Sequence, residues 1–444
     1  MAKLLRTFPN DPIGETIVKG HGLEVTTKSG EKFLDMTGGF TAHNTLGWGN
    51  KSIIDAIQKQ LIAVPHIDYK TFNDPNREEL AEILLTNSNH KLDRLFLCGA
   101  SGGEACEAAI HLSYQVHCEQ GNSSKQWFIS RTQSYHGATT DCMALGERPN
   151  LDFYKPLFPS KRAKVKEHNK FRHMQEHESE SQYGERCAKE LDELIIKLGP
   201  NNVAAFIGET IMGGLVGDVP PTENYWMCIK DVCNKHNVHL ILDEVWCGCG
   251  ISGNNFCIDW DKVTPDFIFL GKTFASGYMP ISGVVTSSKF EDVIKRGSGR
   301  LENSTTYQGH SACVAAALEC QKIINSSGFL EEVNRKGNRL RQELFETLGD
   351  HEFYRNVRGR GMRNSFEYSC NNMNLFGIEV SNRMKADHKI LVNGKWHRFT
   401  FSNAMTISDD QITMFIDLFQ KTFRDVASRW TQDYANTIQP KNFF

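Results

Sequence analysis

No stretch of this 444-residue chain approaches eighteen uninterrupted apolar residues, so the sequence offers no membrane-spanning helix. It offers no export signal either, because Pro9 and Asp11 fall where a signal peptide needs an apolar core. A charge imbalance is also missing. Fifty Lys and Arg stand against 53 Asp and Glu, a formal net charge of -3 with the two signs interleaved, which leaves no electrostatic footprint for nucleic acid or an anionic membrane. The thirteen cysteines fall at irregular spacings and never as C-x-x-C, and they read as reduced thiols in a cytoplasmic protein. Internal repeats and low-complexity tracts are absent. What is present, 40% hydrophobic and 23% charged residues, is the balance of a folded enzyme working on small molecules. The length implies one large domain and a smaller one.

Short apolar runs alternate with longer segments of helical period, the pattern of an α/β fold with a largely parallel sheet. RLFLC (94–98), QWFIS (126–130), VAAFIG (203–208), HLILDEV (239–245), DFIFLGK (266–272) and ISGVVTS (281–287) are the expected strands. Helices are expected over 104–119, over 223–237 and near 408–427. Residues 162–189, rich in charge, His and Gln, read as a solvated excursion or exposed helix with little chemistry. After about residue 326 the patterning shifts from helical to short β-like pieces, which suggests a C-terminal small domain.

Ligands of open α/β sheets sit beyond the carboxyl ends of the strands, so a polar residue closing an apolar strand is a candidate for chemistry. Asp243 closes HLIL and Lys272 closes DFIFLG, which presents both at one sheet edge. A desolvated lysine there loses its proton more easily and can attack an aldehyde to form an imine. A carboxylate beside it can keep a ring nitrogen protonated. The turn after RLFLC, Gly99-Ala-Ser101-Gly102-Gly103, leads into a helix whose first N–H groups point at an anion.

Two other patterns compete. LILDE and LGKT imitate parts of a phosphate-binding NTPase loop, but Asp266 stands where that loop needs its first glycine, and the two occur in the wrong order. His173-Met-Gln-Glu176-His177 has the spacing of an H-x-x-E-H zinc site, but it lies in a highly polar stretch with no third ligand in view, so no metal is expected.

Together, FLDMTGGFTAHNTLGWGN (33–50), SGGEACEAA (101–109), SYHG (134–137), ETIMGG (209–214), LDEVWCGCGISG (242–253), LGKTFASGYMPISGVV (270–285), TTYQGHSACVAAAL (305–318) and VRGRGM (357–362) resemble the class III aminotransferases of fold type I. That family includes ornithine and 4-aminobutyrate aminotransferases. The resemblance covers nearly the whole chain, and its most specific part is Asp243 followed 29 residues later by Lys272 (272 minus 243).

The resemblance implies a mostly parallel central sheet flanked by helices, with a smaller α+β domain. Residues 1–60 would contribute to the small domain, 61–325 would form the large cofactor-binding domain and 326–444 the C-terminal small domain. It implies pyridoxal 5'-phosphate as cofactor, held by Lys272 as a Schiff base, with Asp243 at the pyridine nitrogen. Ser101, Gly102 and Gly103 would bind the phosphate, and Tyr135 and Val245 would pack on the two ring faces. Glu209 would be the acidic residue near the imine and Arg398 the carboxylate-binding arginine. Thr306 would reach the phosphate of a neighbouring subunit, so a homodimer is expected.

The implied activity is ping-pong transfer of an amino group from an amino acid or ω-amine to a 2-oxo acid. Decarboxylases, epimerases and aminomutases of the family share the constellation. The sequence departs from the family at Met212, Trp246, Cys247, Cys249 and Ile251, which on this reading lie beside the reaction centre.

Overall fold

The computed structural model describes residues 3–8, 14–86, 88 and 90–438. Pro9 and Asp11 lie outside the described residues. A seven-stranded sheet forms the centre of the molecule. Its strands are β1 (Arg94–Leu97), β2 (Trp127–Arg131), β3 (Arg162–Val165), β4 (Val203–Glu209), β5 (His239–Asp243), β6 (Phe267–Leu270) and β7 (Gly283–Thr286), in the spatial order β1-β7-β6-β5-β4-β2-β3. The sheet is parallel except for β7, which runs against both of its neighbours.

All six strands expected from the apolar runs are present. The seventh, β3, lies in the segment read as a solvated excursion, and that reading is corrected. Residues 162–165 pair with β2, and the helix Glu180–Leu198 buries Tyr183, Leu191 and Ile195. That helix is amphipathic. Its charged side chains dominate the composition while every third or fourth residue faces the core.

Strands β4, β5 and β6 are buried along their whole length, as expected of a sheet covered on both faces. Side chains alternate between the two coverings. Ile207, Ile241, Phe267 and Phe269 pack with helix α1 (Gly102–Glu119). Phe206, Leu240, Leu242 and Ile268 pack on the other face with helices α2 (Glu180–Leu198) and α3 (Tyr225–Lys235).

Two smaller sheets flank this core. One joins strands Ile17–His21, Glu24–Thr27 and Lys32–Asp35 to Ile390–Leu391, so the N-terminal residues pair with a strand from near the other end of the chain. The other is antiparallel and contains β8 (Tyr354–Arg360), β9 (Arg363–Tyr368), β10 (Asn393–Lys395) and β11 (Arg398–Phe401), ordered β8-β9-β11-β10. Helix Asp409–Ser428 lays Phe415, Phe419 and Phe423, spaced four apart on one face, against Phe366, Phe399 and Phe401 of this sheet. Among the described residues no helix is long and apolar enough to cross a membrane.

Phe419 has no exposed surface and touches three rings on two strands, so its neighbours have little freedom to collapse into a vacated space. Phe419→Ala is expected to cost about 3–5 kcal/mol. Urea denaturation followed by circular dichroism reads this as a lowered midpoint, and an unchanged midpoint would contradict the packing described.

Candidate active site

Parallel register brings the key carboxylates together. Glu209, the last residue of β4, pairs with Asp243, the last residue of β5, and Asp243 also pairs with Phe269 of β6. Two residues beyond the end of β6, the chain turns at Gly271 and presents Lys272. The backbone of Lys272 lies in the left-handed region, at φ +40°, a conformation that costs a non-glycine residue energy and clusters at functional sites.

These residues open onto a cavity of about 650 Å³ at the carboxyl edge of the sheet. Ser101, Gly102, Gly103, Tyr135, Glu209, Asp243, Val245 and Lys272 all line it. Eight of the ten candidate site residues therefore meet in one place. Thr306 and Arg398 do not line it.

The glycine turn is built for close approach. Ser101 caps α1, its hydroxyl accepting from the Glu104 N–H at 3.3 Å. The Glu104 carboxylate folds back to accept from the N–H groups of Gly99 (3.1 Å) and Ala100 (2.9 Å). The opening of an eighteen-residue helix is thereby aimed into the cavity, with its unbonded N–H groups suited to an anion. A Cβ on Gly102 would sit 2.5 Å from Val245 Cγ2, a stiff β-branched partner, so only glycine lets the turn pass.

Asp243 is held on both oxygens. Oδ1 accepts from the Val245 N–H at 3.0 Å, and Oδ2 accepts from Nδ1 of His136 at 2.8 Å. Both side chains are buried. His136 stands in the SYHG motif but was given no role from sequence, because a histidine next to an aromatic carries no local sign of the strand end it will meet. Burial raises the Glu209 carboxyl to about 7, and its Oε2 has no hydrogen-bond partner among the described residues. Burial lowers the Lys272 ammonium to about 8, with Asp243 opposing the shift and Arg363 adding to it. The indole of Trp246 lies 5.4 Å from Lys272 Nζ.

The expectation that all five departures from the family lie beside the reaction centre is corrected. Of these, only Trp246 lines the cavity. Met212 bridges to Val219 in a separate buried cluster, Cys247 packs with Ile211 and Cys257, and Cys249 and Ile251 join the main core. Their apolar neighbours there explain why small and apolar residues occupy them. The histidine pair of the H-x-x-E-H stretch does not share a helix face: His173 ends the short helix Lys170–His173 and bonds Glu167 at 2.7 Å, while Glu176 and His177 lie in a turn.

Arg398, on β11, is fully buried and donates to the Gly214 carbonyl at 2.7 Å, behind the cavity wall that Gly214 forms. Thr306 is exposed in the loop after residue 300. Arg148, Lys395 and Trp396 also line the cavity, and sequence reasoning gave them no part. No periodicity or motif distinguishes them from surface residues.

Comparison with known proteins decides the family. The model of the class III aminotransferases matches residues 9–423. This chain belongs to the class III aminotransferases. An uncharacterised aminotransferase of Schizosaccharomyces pombe is 32% identical over 360 residues, covering 81% of this chain and 78% of that protein. The diaminobutyrate–2-oxoglutarate transaminase of Halomonas elongata is 31% identical over 377 residues, covering 82% and 79%. The solved omega transaminase of Pseudomonas jessenii, in complex with PMP, superposes with a TM-score of 0.86 at 26% identity, over 94% of this chain and 93% of that one. The fold is the fold type I of pyridoxal-phosphate enzymes, and the cofactor of this aminotransferase is pyridoxal 5'-phosphate.

The residues fit that cofactor: a lysine amine, a buried carboxylate, an aromatic ring and a helix N-terminus all face one cavity, where the Glu209 carboxyl also presents an unpartnered oxygen. A Lys272 amine titrating near 8 is neutral in about one molecule in ten at pH 7, against fewer than about one in a thousand for an ordinary lysine. The rate at which the apo aminotransferase takes up pyridoxal phosphate is therefore expected to rise about tenfold per pH unit below 8 and to level off above it. Stopped-flow absorbance measures this. A rate still climbing at pH 10 would show that the lysine is not desolvated.

Proposed function

We propose that Lys272 carries the cofactor, that Asp243 faces its ring nitrogen and that the Ser101–Gly103 turn binds its phosphate, in an enzyme that moves an amino group from an amino acid or ω-amine to a 2-oxo acid. The single observation carrying this assignment is the meeting of Lys272 and the His136-bonded Asp243 carboxylate in one cavity. Pyridoxal phosphate, when bound, supplies an aldehyde carbon for exchange with amines and a ring that accepts electrons.

The chain supplies the rest. Lys272 Nζ, kept short of its proton by burial, takes the proton from the substrate's Cα and returns it as the reaction proceeds. Asp243, fixed by His136 and by the Val245 N–H, holds a negative charge where a ring nitrogen needs a proton. Tyr135 and Val245 confine the ring. Glu209, near neutrality, can hold or release a proton close to Lys272. Arg398 stands behind the wall as a source of positive charge for a substrate carboxylate.

Two copies are proposed to pair through the face that carries Thr306. Leu61, Ile62, Phe72 and Tyr307 are all exposed large apolar residues in the two segments that meet where His66 Nε2 bonds the Thr306 carbonyl at 2.9 Å. Such a patch favours burial against another protein surface. Thr305 Oγ1 touches Glu104 at 3.3 Å, so the Thr306 loop is already anchored to the phosphate turn of its own chain. In this reading Thr306 completes the neighbour's phosphate site. Buried or partly buried free thiols agree with a reducing, cytoplasmic setting. Residues 1–60 and 326–444 are proposed to form the small domain around the large domain of 61–325.

Replacing Asp243 with Asn removes the charge while keeping the shape. The variant is expected to retain pyridoxal phosphate but to lose about two or more orders of magnitude in turnover with any active amino donor. A panel of amines, read by the change in cofactor absorbance, measures both quantities. An unchanged rate would remove Asp243 from the mechanism.

A further inference from the structure

The hairpin that carries Arg398 also carries a second cation, and it is the second one that faces the cavity. Lys395 ends β10 and pairs directly with Arg398 of β11. Side chains of directly paired residues share a face of an antiparallel ladder, and like charges so placed destabilise it. At the hairpin turn Trp396 adopts a left-handed conformation (φ +56°), and its ring lies 5.0 Å from Lys395 Nζ and 4.9 Å from the Arg398 guanidinium carbon.

Across the cavity wall stands Arg148, over the Tyr135 ring at 5.6 Å. Burial, Arg398 and Arg148 together lower Lys395 to about 8, and no acidic group figures among the influences on it. Lys395 makes no ion pair with any described residue. The acids of the neighbourhood are engaged elsewhere. Glu367 pairs with Arg358 and Arg172, and Asp218 accepts from Trp246 at 2.6 Å and Ser365 at 2.7 Å. Asp218 and Glu367 act on Arg398 and no acid acts on Lys395, so the uncompensated charge at the edge of the cavity is that of Lys395, and an anion from outside relieves it.

We infer that Lys395, supported by Arg148 and by the buried charge of Arg398, is the point at which this aminotransferase holds the carboxylate of its substrates. The inference rests on the reading of the cavity as an aminotransferase active site and assigns the carboxylate contact to a residue other than Arg398. Arg398 acts through Lys395: its guanidinium is tied through Nη2 to the Gly214 carbonyl and lines no part of the cavity, and it adds positive potential behind the wall. It is a positioning residue. The substrates so selected are amino and oxo acids, and oxo compounds without a carboxylate gain nothing from Lys395.

The test compares two amino acceptors on the aminated holoenzyme, a 2-oxo acid (pyruvate or 2-oxoglutarate) and a neutral aldehyde (propanal). Lys395→Met is expected to raise KM for the 2-oxo acid about tenfold or more, while KM for propanal changes less than about twofold. Lys395→Arg is expected to restore most of the loss. On the wild type, propionate should inhibit at a concentration about tenfold or more below that needed of propionamide, its uncharged counterpart of the same size, a measurement that needs no variant to fold. Equal effects of Lys395→Met on both acceptors, no effect on either, or equal inhibition by propionate and propionamide would overturn the assignment. A wild type that aminates the 2-oxo acid with these outcomes would leave the aminotransferase reading standing and remove Lys395 alone. A wild type that aminates no oxo compound would remove both.

Discussion

Everything at the active site depends on a lysine amine that the fold keeps from water at the end of a parallel sheet. Desolvation is the largest influence on Lys272, and it outweighs the attraction of Asp243, so the amine titrates near 8 instead of in the ordinary lysine range. That balance needs both parts. Without burial the amine would hold its proton at neutral pH, and without a nearby carboxylate there would be nothing to charge a ring placed beside it. The sheet supplies burial because β4, β5 and β6 are covered on both faces. It supplies proximity because register places Glu209, Asp243 and the residues leading to Lys272 at one edge.

The same edge explains the other demands on the chain. Gly102 has no side chain because α1 must begin against Val245, and Gly271 is similarly close, its own Cβ position lying 3.3 Å from Val245 Cγ1. His136 orients Asp243 from within the protein, so the aspartate's second oxygen is committed and its direction is fixed. Arginine side chains from the smaller antiparallel sheet close the far side. Arg358 donates to the carbonyls of Val216 and Gly217, and Arg398 to that of Gly214, so the loop after β4 is stitched to that sheet and forms one cavity wall. Arg398 therefore both joins the two sheets and adds positive charge behind the cavity wall.

The central sheet was legible in the sequence because buried parallel strands must be continuously apolar, and VAAFIG, HLIL and FIFL announce themselves in that way. Asp243 and Lys272 were legible for the converse reason: each is a charge that interrupts such a run. Strand β3 was hidden, since RAKV at the sheet edge is only half-buried and reads as solvated. His136 and Lys395 were hidden because their roles come from contacts between segments over a hundred residues apart, Asp243 with His136 and the hairpin with the cavity. Arg398 is named by its position within the family resemblance alone, and burial behind Gly214 is a property of packing that no resemblance states. Cys247, Cys249 and Ile251 follow Trp246 in sequence, but adjacency in sequence is not adjacency in space, and they pack in the core. The chain turns after Val245, and only Trp246 faces inward.

The most direct test is chemical. Borohydride reduction of the holoenzyme fixes the cofactor to whichever amine holds it, and peptide mapping then identifies the residue. The account predicts a single modified peptide containing Lys272. Modification of Lys395, or of any lysine outside the 650 Å³ cavity, in place of Lys272 would contradict it.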